Sequence, residues 1–358
     1  MDKLQKLVAA LPSDIDGALI TSPINRRYYT GFSSSAGLLL VTRGKNYFLT
    51  DSRYHEAAGK VINNCEVILR GDKPVGELLE LMRKIGIKSL GVESAHLSLK
   101  DFAKYQKDLV GIKLTPNDNV SEVISAQRQI KSQIELDAMA TAQKIADKAF
   151  DHILGFISPG KTEKEIALEL EIFIRSRSEG ASFSLIVVSG ANSSLPHGVA
   201  SDKKIEKGDI IIIDFGAQID GRKSDMTRTV AVGSVSDKQR RVYETVLEAQ
   251  LAALAKVKAG ETCSKVDKVA RDIIENKDKG AYKGCFGHAL GHSIGLEIHE
   301  PPRFSALCAD ILKPDMVLTV EPGIYLPGEF GVRIEDMVAI TKDGIVNFTT
   351  SRKDLIVL

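Results

Sequence analysis

Two segments in the C-terminal half of this chain share one pattern. Each is an apolar run that stops at an acid, then one residue, a glycine, a turn, and a second acid beside an acid-Met pair. The first is "GDIIIIDFGAQIDGRKSDMTRT", in which Asp214 closes four isoleucines and Asp225 lies eleven residues on. The second is "DMVLTVEPGIYLPGEFGVRIEDMVAIT", in which Glu321 closes the run and Glu335 lies fourteen residues on. Apolar runs of this length, bounded by turn residues, read as buried strands. Each first acid therefore sits where a buried strand emerges. One such acid is ordinarily a strand-end cap or a turn residue. Four at matching strand ends are harder to place, because a buried carboxylate costs several kcal/mol unless it is paired or bound to a cation. The repeat brings two carboxylates from each half into register and favours a metal site over four structural caps.

Histidines cluster between the two segments. The chain has seven, and His288, His292 and His299 all fall within "GHALGHSIGLEIHEPP". The spacing of His288 and His292 would share a helical face, but Gly287, Gly291 and Gly295 oppose a regular helix and there is no H-E-x-x-H. A strand or extended loop is expected. There the odd separation puts His292 and His299 on opposite sides, so at most one of the three ligates directly. A backbone-bonded buried histidine explains any one of them but not all three together. His197 follows an apolar strand and a loop of small residues in "SFSLIVVSGANSSLPHG", where it can overhang the same site. Cys285, three residues before His288, mimics a C-x-x-H ligand pair and is read as a buried thiol. Four carboxylates and one imidazole form a hard, oxygen-rich set suited to two divalent ions, with manganese, cobalt, iron or zinc all compatible. Such ions, ~3.5–4 Å apart, share a hydroxide that is nucleophilic at neutral pH, which is hydrolase chemistry.

At 358 residues and 43% apolar, the chain is too long for one small core, and two domains are expected. The first third alternates strand-like runs ("DGALIT", "AGLLLVT", "KNYFLTD", "CEVILR", "SLGVE") with the amphipathic helix "PVGELLELMRKIG". This is an α/β layer domain without a G-x-G-x-x-G fingerprint. Beyond Ser121 the texture changes to long helices with clean starts. Ser132 with Glu135, Thr162 with Glu165 and Ser236 with Gln239 each form a capping box, and the last helix is expected to stop at Gly260. The domains are placed at 1–124 and 125–358, the second being α+β. Forty-eight basic residues against 47 acidic ones give no electrostatic case for nucleic acid or a membrane surface. The four cysteines make no C-x-x-C pair, which points to free thiols and a reducing compartment. The N-terminus is a poor signal peptide, and the run in "DIIIIDFG" is far below the ~20 residues of a membrane span, so a cytoplasmic setting is expected.

At "DFGAQIDGRKSDMTRT", "GHSIGLEIHE", "EPGIY" and "GVRIED" the chain resembles the pita-bread metallopeptidases: methionine aminopeptidase, aminopeptidase P and prolidase. The first domain, with "YYTGFSSSAGLLLVT" and "FLTDSRYHEAA", resembles the creatinase-like N-terminal domain of the Xaa-Pro members. The resemblance implies a pita-bread fold with a pseudo-two-fold repeat, and two metal ions held by Asp214, Asp225, His292, Glu321 and Glu335. It implies that Glu321 handles the proton of the bridging water. His197 and His299 would donate hydrogen bonds to the scissile carbonyl, and His288 and Arg333 would line the pocket for the proline side. It further implies a homodimer acting on short proline-containing peptides, with manganese as the first choice of metal. All five ligand positions keep their residue type, which argues against a non-catalytic peptide-binding relative. The expected activity is of aminopeptidase P type; the alternative is a prolidase acting only on Xaa-Pro dipeptides.

Overall fold

Capping decides where the helices of this chain begin. The structure, a computed structural model, describes residues 2–71 and 73–358. In the first part these form α1 (Lys3–Ala10), β1 (Gly17–Ile20), α2 (Pro23–Thr30), β2 (Leu38–Thr42), β3 (Tyr47–Thr50) and α3 (Ser52–Val61). There follow β4 (Glu66–Leu69), α4 (Pro74–Lys84), β5 (Ser89–Val92), α5 (Leu99–Asp108), β6 (Lys113–Thr115) and α6 (Asn119–Gln129). The five expected strands and the expected helix are all present. Helices α1, α2, α3 and α5 are short and weakly apolar, so periodicity does not reveal them. Their signal is the cap: Asp2, Ser22, Asp51 and Ser98 each accept a first-turn N–H. The six strands form one sheet, ordered β4-β3-β2-β1-β5-β6, in which β2 alone runs antiparallel to its neighbours. Leu78 and Met82 of α4 pack on Leu19, Leu49 and Leu90 of this sheet.

The compact units divide between Arg128 and Gln129. Helix α6 runs through the expected 124/125 boundary, so the change of texture at Ser121 marks the start of a helix rather than a linker.

The second unit contains α7 (Gln133–Leu154), α8 (Glu163–Arg175), β7 (Ile186–Ser189), β8 (Ile210–Phe215), β9 (Gln218–Ile219), β10 (Arg222–Lys223), β11 (Met226–Ala231), α9 (Asp237–Lys256) and α10 (Cys263–Asn276). It continues through β12 (Gly291–Ser293), β13 (Glu300–Phe304), β14 (Val317–Val320), β15 (Gly323–Leu326), β16 (Phe330–Arg333), β17 (Asp336–Ile340), β18 (Ile345–Asn347) and β19 (Ile356–Val357). All three capping boxes close as expected. Helix α9 ends earlier than the sequence implies: Val257 turns extended and buries itself in the core, and Gly260 serves a later turn at φ +85°.

The repeat is present in the backbone. β8 pairs antiparallel with β11, and the small β9–β10 hairpin lies between them in sequence. β14 pairs antiparallel with β17, with the β15–β16 hairpin between them. Each half is backed by two helices. Phe150 of α7 and Ile166 and Leu170 of α8 cover Ile211 and Ile213. Val246 of α9 and Val266 and Ala270 of α10 cover Leu318 and Val320. Thr227 and Glu335 bridge the halves through their backbones. The Arg228 guanidinium, buried at this seam, donates to the carbonyls of Thr227, Glu335, Ser351 and Arg352 and to Asp336 Oδ1 at 2.8 Å. Lys353 takes the other Asp336 oxygen at 2.7 Å. No helix of the described residues is long and apolar enough to cross a membrane.

Close approach fixes one glycine of the repeat. A Cβ on Gly216 would lie 1.8 Å from the carbonyl oxygen of Ser224, the residue before Asp225. Gly216→Ala must push this backbone apart. We expect a loss of about 3 kcal/mol or more, read as a fall of roughly 2–4 °C per kcal/mol in the melting transition of the second unit. Calorimetry showing an unchanged transition would contradict this packing.

Candidate metal centre

The four acids meet because the two hairpin-bearing strand pairs deliver them to one point. Asp214 lies in β8 and Glu321 directly follows β14; Asp225 and Glu335 directly precede β11 and β17. All are buried or nearly so and line one cavity of about 270 Å³, together with His197, His288, His292, His299 and Arg333. Every site residue named from the sequence thus reaches the same cavity.

The polar geometry within it is specific. One ligand atom each from Asp225, His292 and Glu335 lie within 4.8 Å of one another. His292 Nε2 stands 3.6 Å from Asp225 Oδ2 and 3.4 Å from Glu321 Oε1. Its other ring nitrogen, Nδ1, lies 3.1 Å from the Ser293 carbonyl, which can only accept, so Nδ1 carries the proton. The Nε2 lone pair therefore points at two carboxylates. Burial, then the neighbouring His299, pushes the His292 pKa down to about 3, so protonation does not relieve this. Burial raises Asp225 well above the usual carboxylate range, and Glu335, Asp214 and Glu321 raise it further. Glu335 is raised likewise by burial and by Glu321 and Asp214, and Glu321 is pushed up to about 8, mainly by burial. Asp214 Oδ1, Asp225 Oδ1 and Glu335 Oε1 are buried without a hydrogen-bond partner among the described residues. A lone pair and three orphaned carboxyl oxygens facing one space fit a bound cation, with the protonated Nδ1 fixing the imidazole for ligation. The donor set of oxygens and one nitrogen fits a hard or borderline divalent ion.

Arg333 lines the cavity and is also bonded to the acid cluster. Its Nη2 lies 2.5 Å from Asp214 Oδ2, its Nε donates to Thr227 Oγ1, and its Nη1 donates to Tyr325 Oη at 2.7 Å. These bonds tie it to the acid cluster. Thr227 Oγ1 in turn donates to Glu335 Oε2 at 2.7 Å, and Thr319 Oγ1 to Glu321 Oε1 at 3.2 Å. Tyr325, which the sequence reading passes over within "EPGIY", also meets His288 Nε2 at 3.0 Å. His288 Nδ1 lies on the Ala289 carbonyl, so Nε2 accepts from Tyr325, which accepts from Arg333. Arg271 of α10 fixes this segment by donating to the Phe286 and His288 carbonyls.

The expectation that His292 and His299 face opposite sides is wrong. Their rings are 4.4 Å apart, edge to face. The odd-separation rule assumes one continuous strand, whereas residues 294–299 fold back so that β12 and β13 pair antiparallel. Cys285 is only partly buried; it packs against the large apolar core and does not line the cavity. The cavity also has features not read from the sequence. Phe183, Ile186 and Ile298 supply apolar wall. Arg303, one residue beyond "GHALGHSIGLEIHEPP", is exposed at the cavity and makes no ion pair among the described residues.

Comparison with known proteins agrees with this architecture. The Metallopeptidase family M24 profile matches residues 137–342, and the Creatinase/Prolidase N-terminal domain profile matches residues 1–130. The chain is 45% identical to "Uncharacterized peptidase YqhT" of Bacillus subtilis, covering 100% of this chain and 99% of that protein. It is 39% identical to an Xaa-Pro dipeptidase of Pyrococcus horikoshii, covering 99% of each. Among solved structures, an Xaa-Pro dipeptidase from Bacillus anthracis superposes with a TM-score of 0.95 at 41% identity over 99% of each chain. An X-Pro aminopeptidase from Thermotoga maritima gives 0.92 at 36% identity over 100% of each. The chain belongs to metallopeptidase family M24, with a creatinase/prolidase N-terminal domain and the pita-bread fold.

The strain of the acid cluster is measurable. Asp225→Asn removes one of the mutually repelling carboxylates. We expect the metal-free variant to melt several degrees above metal-free wild type, since a buried like-charge contact is relieved. Added manganese should raise the wild-type transition and leave that of the variant unmoved. A metal-free variant less stable than wild type would mean the acids are not repelling.

Proposed function

We propose that this protein is a metal-dependent Xaa-Pro dipeptidase, a prolidase. The reading is carried by the His292 lone pair and orphaned carboxylate oxygens converging in one cavity of a chain that matches Xaa-Pro dipeptidases end to end. The aminopeptidase P activity expected from the sequence gives way to it, because Xaa-Pro dipeptidases stand among the most similar relatives and structures. The similarity to an X-Pro aminopeptidase keeps the longer-peptide activity as the second reading.

Asp214, Asp225, His292, Glu321 and Glu335 would hold two divalent ions, manganese first, with cobalt, iron or zinc as alternatives. Such ions supply Lewis acidity and lower the pKa of water. The chain's own groups do the rest. Glu321, bonded by Thr319, passes a proton between the attacking water and the leaving proline nitrogen. His299, its pKa lowered by burial and then by Arg303, is a neutral imidazole able to donate to the scissile carbonyl, and His197, which lines the same cavity, is a second donor. Phe183, Ile186 and Ile298 pack the proline ring and exclude water. His288, fixed by Tyr325, forms the pocket's polar side. Arg303, without an ion pair among the described residues, is a cation available to a dipeptide's free carboxylate; in a longer peptide that carboxylate is absent from this position. The four cysteines are free, which fits a cytoplasmic setting, and a homodimer accords with the family resemblance.

Metal-loaded protein should hydrolyse Xaa-Pro with kcat/KM at least about tenfold above that for Xaa-Pro-Xaa-Xaa, one tenfold step being ~1.4 kcal/mol. Preference for the longer peptide would establish the second reading. Arg303→Ala should raise KM for the dipeptide about tenfold, the strength of a charge-assisted bond, and leave the tetrapeptide unaffected. Equal effects on both would remove Arg303 from carboxylate capture.

A second pair of variants separates ligand from donor. His299→Ala should retain bound metal while kcat falls by roughly 10²-fold. His292→Ala should lose metal, read by elemental analysis. Equal metal content in the two would refute this division.

A further inference from the structure

Behind the His292–His299 loop lies a buried ion pair that no step above uses. Lys131, just before the capping box that opens α7, is 4% exposed. Its Nζ lies 3.4 Å from Glu300 Oε2 and 3.2 Å from Ser293 Oγ. Glu300 is equally buried, and its Oε1 accepts the N–H groups of Leu296 at 3.0 Å and Glu297 at 3.2 Å. Ser293 Oγ donates to the Val317 carbonyl of β14, and the Lys131 N–H donates to the Asp315 carbonyl. The loop is shaped around the carboxylate: a Cβ on Gly295 would lie 2.7 Å from Glu300 Oε2.

The placement follows from these contacts. Ser293 adjoins His292 and Glu300 adjoins His299, yet Ser293 and Glu300 do not line the cavity and both turn to Lys131. The histidines face the cavity, their rings 4.4 Å apart. Ser293 and Glu300 face the other way, and a single ammonium joins them. Because the two strand ends are tied at the back, the distance between the two imidazoles at the front is set as well.

We infer that Lys131 is a positioning residue, whose ammonium clamps Ser293 to Glu300 and thereby holds His299 at a fixed distance from His292 and the bound carbonyl. The inference rests on the role given to His299 above. The plain alternative is a pair that serves stability alone. Removing Lys131 by itself is uninformative, because breaking a buried ion pair is strongly destabilising in its own right. The decisive protein is the double variant Lys131→Met/Glu300→Gln. It removes both charges, while the side-chain amide oxygen that replaces the carboxylate can still accept from the Leu296 and Glu297 N–H groups. Lys131→Arg is a second test, since it keeps the charge but alters its reach and geometry.

Two measurements are made on each full-length variant. In the manganese-loaded enzyme, kcat for Xaa-Pro is expected to fall about 10- to 100-fold, the effect of a small misplacement, while KM and bound metal stay near wild type. In the metal-free protein, labelled with ¹⁵N at its histidine rings, the His299 and His292 signals are expected to shift while those of His55 and His152 do not. A double variant with wild-type kcat, or with unmoved His299 and His292 signals, overturns the inference. So does a Lys131→Arg variant indistinguishable from wild type in both. If the wild type proves inactive on Xaa-Pro peptides, the proposed function fails, and the imidazole shift alone decides the clamp.

Discussion

Mutual repulsion of buried carboxylates is the constraint on which this structure turns. Asp214, Asp225, Glu321 and Glu335 are crowded into one cavity, and solvent is too scarce there to screen them. Arg333 relieves one corner through Asp214, and the hydroxyls of Thr227 and Thr319 each satisfy one further oxygen. Asp214 Oδ1, Asp225 Oδ1 and Glu335 Oε1 have no hydrogen-bond partner among the described residues. A chain adopts such an arrangement only if the surrounding fold enforces it. Here the enforcement comes from the two strand pairs, from the Arg228–Asp336–Lys353 network that neutralises the seam between them, and from glycines that let the backbones approach. The apolar cores beneath α7–α8 and α9–α10 hold the strand ends in place against this repulsion.

Much of this is legible in the sequence because the signals are local. An apolar run ending in an acid specifies both a buried strand and the place where it emerges, and the repetition of the run specifies the pairing. The capping boxes at Ser132, Thr162 and Ser236 fix helix starts through contacts three residues apart. What escapes depends on contacts distant in sequence. The separation of His292 and His299 suggests opposite faces, yet the chain reverses between them, and a reversal erases the parity rule. Arg333 reads as a pocket residue; its partner Asp214 lies 119 positions away and cannot be inferred from spacing. The stop of α9 is misplaced because burial of Val257 outweighs the expected glycine signal.

The wall of the cavity is assembled by a different logic from its floor. The acids come from the strand pairs β8–β11 and β14–β17, whereas Phe183, Ile186, Ile298 and Arg303 lie outside those pairs. They come from the approach to β7 and from the two sides of the β12–β13 turn. On the proposed function, the acid-bearing strands hold the metal and these wall residues contact the peptide. This division explains why ligand residue types alone leave dipeptidase and aminopeptidase readings open. On the proposed function, that choice falls to wall residues such as Arg303.

Charge counting sharpens what the floor can hold. Four carboxylates against the Arg333 guanidinium leave three negative charges, and His292 is neutral. One divalent ion would leave the cavity still anionic, which would repel a peptide carboxylate approaching Arg303. Two would leave a single positive charge, which a hydroxide or the polarised carbonyl of a bound peptide can offset. The positions of the acids point the same way. They arrive as two pairs, one from each half of the repeat, and Asp225 and Glu335 lie at equivalent strand starts. A dinuclear centre is the arrangement in which both the charge and the pseudo-symmetry of the fold are satisfied together.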